Sequence, residues 1–356
     1  MRSTVIGLLA VCSSTPLAAA QGSCPADLDG DRAVNGADLG AVLAAWGSCG
    51  PTDCEADLNE SGVVDGADLG LLLGSWGECP VTVPGWATLI EAEPDPTVVT
   101  DPALRAAIVA TGLAWRVRDT GTQIEMLLVP PGTFQMGCIM GSNQHPCQAW
   151  EQPVHQVTLT NAFYLGRYEV TQAQWQATMG SNPSHFQSAS AQVPAAQVPS
   201  RPVERVSWNA IQGYMNATGM RLPTEAEWEY ACRAGTQTPF YNESTDDSTV
   251  WTLAWCFCFP GFPRTGNQTH PVGGKAANGF GLYDMLGNVG EWVNDWRGDY
   301  SANPQTDPTG PAEASVRVVR GGSCYTSSNY VRSSSRGGDS PGIASEDWGF
   351  RVARTP

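Results

Sequence analysis

The sequence predicts two unlike parts: a small all-α module built on paired acidic loops, then a large α+β domain with little regular secondary structure. Three observations carry this reading. The segment Cys24 to Gly47 recurs thirty residues later as Cys54 to Gly77, and internal repetition of this kind marks a repeated structural unit. A stretch carrying Pro84, Pro94 and Pro96 follows and breaks the pattern. Beyond Trp115, short strand-like runs alternate with two capped helices and long loops rich in Gly, Pro, Ser and Trp.

The chain has 356 residues and a net charge of −16. Residues 1–20 read as an export signal, with Arg2 as the basic end, Val5 to Val11 as the apolar run and Ala18-Ala19-Ala20 as the cleavage site. That run is too short to span a bilayer. Val11 stands where a small residue usually precedes a lipidated cysteine, which disfavours a lipid anchor at Cys12. The expected location is therefore extracellular or periplasmic, where disulfides persist. The acidic balance excludes the basic footprint that nucleic acids require and disfavours anionic membrane surfaces.

In the first repeat, oxygen ligands fall at Asp27, Asp29, Asp31, the Ala33 carbonyl, Asn35 and Asp38. In the second they fall at Asp57, Asn59, Ser61, the Val63 carbonyl, Asp65 and Asp68. This stride wraps a loop around one hard cation, and calcium takes six to eight such oxygens. The last Asp of each set falls in the first turn of a helix, expected over Ala37 to Trp46 and Ala67 to Trp76, where its charge complements the helix dipole. Cys24 with Cys49, and Cys54 with Cys79, bracket the two units identically and are expected to close each one. The pattern resembles the dockerin type I repeat, an EF-hand variant, over Cys24 to Pro80. It departs from it at Arg32, which occupies a turn position that favours glycine, and at Ser61, which replaces an acid. The resemblance implies a cohesin-like or cell-surface partner. Leu39, Val42 and Leu43 with Leu69, Leu72 and Leu73 either present that docking face or bury one another between the helices.

Residues 81–113 read as a linker holding one short helix, Ala103 to Ala110, with Asp101 as its cap and Pro102 at the first position. The third segment, 114–356, carries strand-like runs at Glu125 to Val129, Val154 to Leu159 and Val316 to Val319. Helices start at the capping boxes Thr171 to Gln174 and Thr224 to Glu227. Seven ordered blocks follow one another here: Met126–Gly137, Tyr168–Gln172, Arg201–Trp208, Arg221–Ala231, Gly281–Trp292, Arg320–Ser323 and Gly349–Arg351. They resemble the formylglycine-generating enzyme, or sulfatase-modifying factor, family. The resemblance implies a variant of the C-type lectin fold and a calcium site formed by Asp284, Gly287, Val289 and Glu291. The competing reading pairs Glu291 with an arginine.

The family's enzyme oxidises a substrate cysteine to formylglycine and holds Cu(I) between two thiolates, the soft ligands that this ion selects. Aligned on the Gly-Gly-Ser block, those two positions hold Thr326 and Val331, and Gly290 stands where a pocket tryptophan is expected. Ser323 and Tyr330 match family pocket residues, and Cys324 lies nearby. The expectation is a noncatalytic, calcium-stabilised binding or scaffold module taking a peptide, protein or glycan. The alternative is an active oxidoreductase acting on sulfatase cysteines, or a related protein-modifying activity. Cys138 and Cys147 are expected to pair. Cys232 matches a family disulfide position whose partner is Arg336 here, which implies rewiring, with Cys324 as a candidate partner among Cys256, Cys258 and Cys324. His145, His155, His185 and His270 lack zinc-ligand spacing, and Glu291 with Asp295 is only a nominal glycosidase pair.

Overall fold

The computed structural model describes residues 24–49, 54–139, 146–257 and 267–356. The expected export signal, Cys258 and His145 lie outside them. The chain divides into two compact units, Met1–Pro80 and Val81–Pro356.

In the first unit, β1 (Ala33–Val34), α1 (Gly36–Ala44) and β2 (Gly47–Ser48) are followed by β3 (Val63–Val64), α2 (Gly66–Gly74) and β4 (Gly77–Glu78). Both helices open on capping boxes, Asn35 with Asp38 and Asp65 with Asp68. Each helix ends two residues before the tryptophan expected to close it. The unit is not purely helical, because the repeats pair crosswise, β1 antiparallel with β4 and β2 with β3. This exchange decides the disulfides. The Cys79 amide donates to the Arg32 carbonyl and the Cys49 amide to that of Gly62, so the bridges are Cys24–Cys79 and Cys49–Cys54. The expected closure of each repeat on itself is corrected to two bridges between repeats. Val42 and Leu72 are fully buried and Leu39 and Leu69 half-buried, whereas Leu43 and Leu73 face solvent.

The second unit begins with β5 (Ala87–Glu91) and α3 (Pro102–Val109), then β6 (Arg116–Asp119), β7 (Glu125–Val129), β8 (Gly132–Met136), β9 (His155–Leu159) and β10 (Phe163–Gly166). Helices α4 (Gln172–Met179), α5 (Trp208–Thr218), α6 (Glu225–Arg233) and the single turn α7 (Val250–Leu253) come next. Six strands close the chain: β11 (Gly290–Trp296), β12 (Gln305–Thr306), β13 (Arg317–Arg320), β14 (Arg336–Asp339), β15 (Trp348–Gly349) and β16 (Ala353–Arg354). The twelve strands β5 to β16 form three sheets, ordered β16-β10-β7-β6-β5, β14-β13-β11-β15 and β12-β9-β8. The segment read as a linker is built into this unit: β5 adds to the edge of the first sheet, and Val99 and Ile108 are fully buried. Asp101 caps α3 with Pro102 in its first turn, as the sequence indicates.

Thr171 and Thr224 form the expected capping boxes of α4 and α6. Helix α5 has no counterpart among the sequence signals. Ser207 caps it without a reciprocal partner, and it buries Ile211, Tyr214 and Met215. Trp115, Trp228 and Trp292 are fully buried, together with Arg201, Arg320, Arg332 and Arg351. Those arginines need partners, because an unpaired buried charge is costly. Arg332 meets Glu151 at 2.7 Å, Arg351 meets Glu291 at 2.6 Å, and Arg320 pairs with Glu229. Ion pairs between distant segments thus tie the loops to the sheets.

Candidate functional site

A cavity lies at one end of the second sheet, and of the expected pocket residues only Tyr330 lines it. Gly290 opens β11 and pairs in parallel with Trp348 of β15. A Cβ at Gly290 would lie 2.9 Å from the Trp348 ring and 2.8 Å from Val319, so Trp348 occupies the space that a larger residue there would need. Gly322, at φ +71°, bends the chain after β13, and a Cβ on it would press on the Tyr330 carbonyl and Val331. The turn after it is locked by Thr326, whose Oγ1 accepts from the Ser323 amide at 3.0 Å. Ser323 Oγ lies 3.0 Å from Thr326 Oγ1 and donates to Asp347 at 2.6 Å. The result is a cavity of about 310 Å³ whose walls include Trp150, Gly290, Thr326, Tyr330, Arg336 and Trp348.

Thr326 and Tyr330 therefore converge on one cavity, while Ser323 acts behind it as a turn brace. Val331 is fully buried. A hydrogen-bonded hydroxyl and a buried isopropyl group cannot replace two thiolates, so the residues present do not fit Cu(I). Nor does Cys324 supply a substitute. It is fully buried, and burial, then the nearby Asp347 carboxylate, push its thiol well above the ordinary range, where it is a poor nucleophile and metal ligand. Cys232 is raised to about 12, by burial first. Both thiols are free, which corrects the expected Cys232–Cys324 bridge. The Cys232 Sγ instead lies 3.6 Å from Ser333 Oγ. Cys138–Cys147 forms as expected, and Cys256 is also disulfide-bonded.

These features sit in a domain whose kinship is clear. Residues 114–356 match the sulfatase-modifying factor enzyme 1-like domain. The chain belongs to this sulfatase-modifying factor family. The formylglycine-generating enzyme of Streptomyces coelicolor is 32% identical over 301 residues, covering 70% of this chain and 94% of that protein. The chaperone protein LppX of Paenibacillus barcinonensis is 29% identical, covering 71% and 97%. Among solved structures, PvdO from Pseudomonas aeruginosa superposes with a TM-score of 0.57 at 30% identity, covering 68% of this chain and 98% of that one. Treponema denticola variable protein 1 gives 0.56 at 30% identity, covering 65% and 95%. The family thus includes proteins named as enzymes and one named as a chaperone.

The segment expected to hold calcium folds beside three buried carboxylates, Glu169, Asp284 and Glu291. Both oxygens of Glu291 accept from Arg351, at 2.6 and 2.7 Å, and one also accepts from the Trp228 indole at 2.7 Å. Glu169 adjoins it, accepting from the Val289 amide and Asn288, and burial, then Asp284 and Glu291, raise it well above a normal carboxylate. Asp284 sits at φ +53° and accepts from the Gly273 amide, and its Oδ1 is buried without a hydrogen-bond partner. Arg351 neutralises Glu291, while the buried Glu169 and Asp284, the latter with one oxygen lacking a partner, add further carboxylates to the same cluster. Local sequence patterns miss Arg351 as the partner because sixty residues separate it from Glu291.

In the first-unit loop, Asp27, Asp29 and Asp38 each offer a carboxylate oxygen within 4.8 Å of the others. Burial pushes the Asp38 carboxyl up, but the amides of Asn35, Leu28 and Asp29 outweigh it and hold the group below its usual value. Arg32 takes φ +65° where the second loop has Gly62 at +85°. In that second loop Ser61 Oγ donates to the Val63 carbonyl, and Asp65 caps α2.

Proposed function

We propose that this chain is a secreted, noncatalytic member of the sulfatase-modifying factor family, a binding module carried on a dockerin-like calcium region. The observation that carries the proposal is the replacement of both copper-ligand positions, by a hydrogen-bonded Thr326 and a buried Val331. The retained cavity has three aromatic walls, Trp150, Tyr330 and Trp348, of which Trp150 and Tyr330 are exposed. Such surfaces suit a peptide segment or a sugar face, since large rigid rings bury area at little entropic cost. In the first unit, the six oxygen positions from Asp27 to Asp38 would hold calcium and contribute the charge that folds the loop. The exposed Leu43, Trp46, Leu73 and Trp76 leave an apolar surface for a cohesin-like partner.

The deciding experiment is aerobic incubation of copper-treated protein with a Cys-x-Pro-x-Arg peptide, followed by mass spectrometry. Unchanged peptide mass is expected, and conversion of thiol to aldehyde would overturn the reading. In parallel, Tyr330→Ala should lower the affinity for any glycan or peptide that raises the wild-type melting temperature.

A further inference from the structure

A larger cavity, of about 450 Å³, opens on the other side of Arg336, between α6, β11 and the loop that follows β11. At its base sits Asp295, only 3% exposed. One of its oxygens accepts the Glu225 amide at 2.9 Å. Its other oxygen, Oδ1, accepts no hydrogen bond among the described residues. A buried acid either keeps its proton or has a cation beside it, and the nearby guanidiniums are engaged elsewhere. Arg336 is bidentate to Glu225, at 2.8 and 2.7 Å. Arg317 is sandwiched between the Trp208 and Trp296 rings, at 3.8 and 3.6 Å.

The approach to the free oxygen is kept open by the backbone. Gly310, at φ +72°, borders the cavity, and a Cβ there would stand 3.3 Å from Asp295 Oδ1. Asp299 and the Trp296 and Tyr300 rings also line the space. The two rings already carry guanidiniums, Arg317 on Trp296 and Arg336 on Tyr300, so the attraction for further positive charge comes from the acids, Asp295 with its unpaired oxygen and Asp299 and Asp307 in the same lining.

We propose that this cavity binds a primary alkylammonium group, such as a lysine side chain or an amino-bearing ligand, with Asp295 as its counter-ion. The proposal is independent of the aromatic pocket, since it concerns a different cavity and needs no claim about catalysis. The rival account makes Asp295 only a brace for the first turn of α6.

The two are separated by titrating the full-length protein at a pH of about 8.5, where Asp295 is ionised and the amine still charged, with n-butylammonium and, separately, with 1-butanol, a neutral probe of similar size. Binding is followed by amide chemical shifts and calorimetry. Butylammonium should perturb residues 295–311 while butanol does not, and Asp295→Asn should weaken the ammonium at least tenfold. Asparagine keeps a carbonyl oxygen for the Glu225 amide, so this variant should fold. Equal perturbation by the two probes, or unchanged ammonium affinity in a folded Asp295→Asn protein, would overturn the proposal. The comparison of probes on wild-type protein decides the matter even if the variant misfolds.

Discussion

Asp295 illustrates how one buried side chain couples local geometry to a measurable property of the whole protein. Burial, then the neighbouring Glu225, raise its carboxyl from an ordinary 3.8 to about 8. Between those values the folded state holds a proton that the unfolded chain has released, so stability falls as pH rises from about 4 to about 8. The full span corresponds to a few kcal/mol, at roughly 1.4 kcal/mol for each tenfold change in proton affinity before discounting for relaxation. Asp295→Asn should therefore melt higher than wild type at pH 8, with the difference closing towards pH 4, and melting curves across that range test it. A second residue-scale expectation concerns Glu229, which accepts from Arg233 and from the Gly137 amide, each at 2.9 Å, and pairs with the buried Arg320. Glu229→Ala strands two guanidiniums and should cost about 3–5 kcal/mol in urea denaturation. Neither environment is legible in the sequence. Asp295 reads there as half of a nominal carboxylate pair with Glu291, but β11 sends the two to separate settings. Local spacing cannot reveal that Arg351 claims Glu291. The loss of the copper thiolates is legible, because it depends on residue identity at two positions.

At the scale of elements, capping chemistry is the most readable signal, since each box satisfies its orphan amides within four residues. Thr224 accepts from the Glu227 amide at 3.1 Å, and Glu227 in turn accepts from the Thr224 amide at 2.8 Å. The box also aims Glu225, Trp228 and Glu229 into the interior. Thr224→Ala should cost about 1 kcal/mol, whereas Ser207→Ala at α5, with no reciprocal bond, should cost less. Chemical denaturation of the two variants checks the order. The same contrast explains why α5 leaves no clear mark in the sequence: it lacks the box and carries Gly213 in its interior. That glycine suits its packing, since a Cβ there would lie 3.3 Å from Met179 of α4. The segment holding β5 and α3 passes for a linker for a related reason. Prolines announce a break in regular structure, but sheet-edge pairing with β6 is a tertiary event.

For the whole molecule, the division into two compact units implies two separable unfolding events. Their physical supports differ. The second unit has a continuous apolar core with its charged groups paired inside it. The first has a small core centred on Val34, Val42, Val64 and Leu72, too little to be self-sufficient. It is held by the crosswise strands and by a bridge from Cys24 to Cys79 across 55 residues. On loop-entropy grounds that bridge contributes about 4 kcal/mol. The identical bracketing of the repeats hides this connectivity, because equal spacings allow closure within a unit or across the pair. Only the antiparallel exchange of β1 with β4 distinguishes them. With calcium bound at Asp27, Asp29 and Asp38, the first unit should unfold separately and respond to chelator. Adding EGTA should lower or abolish only its transition in calorimetry, and reduction of the disulfides should do so further. The second unit's transition should stay within a few degrees under EGTA if the Arg351–Glu291 pair is the counter-charge of the buried carboxylate cluster. A large EGTA-induced drop in that second transition would show that the Asp284 cluster depends on calcium after all.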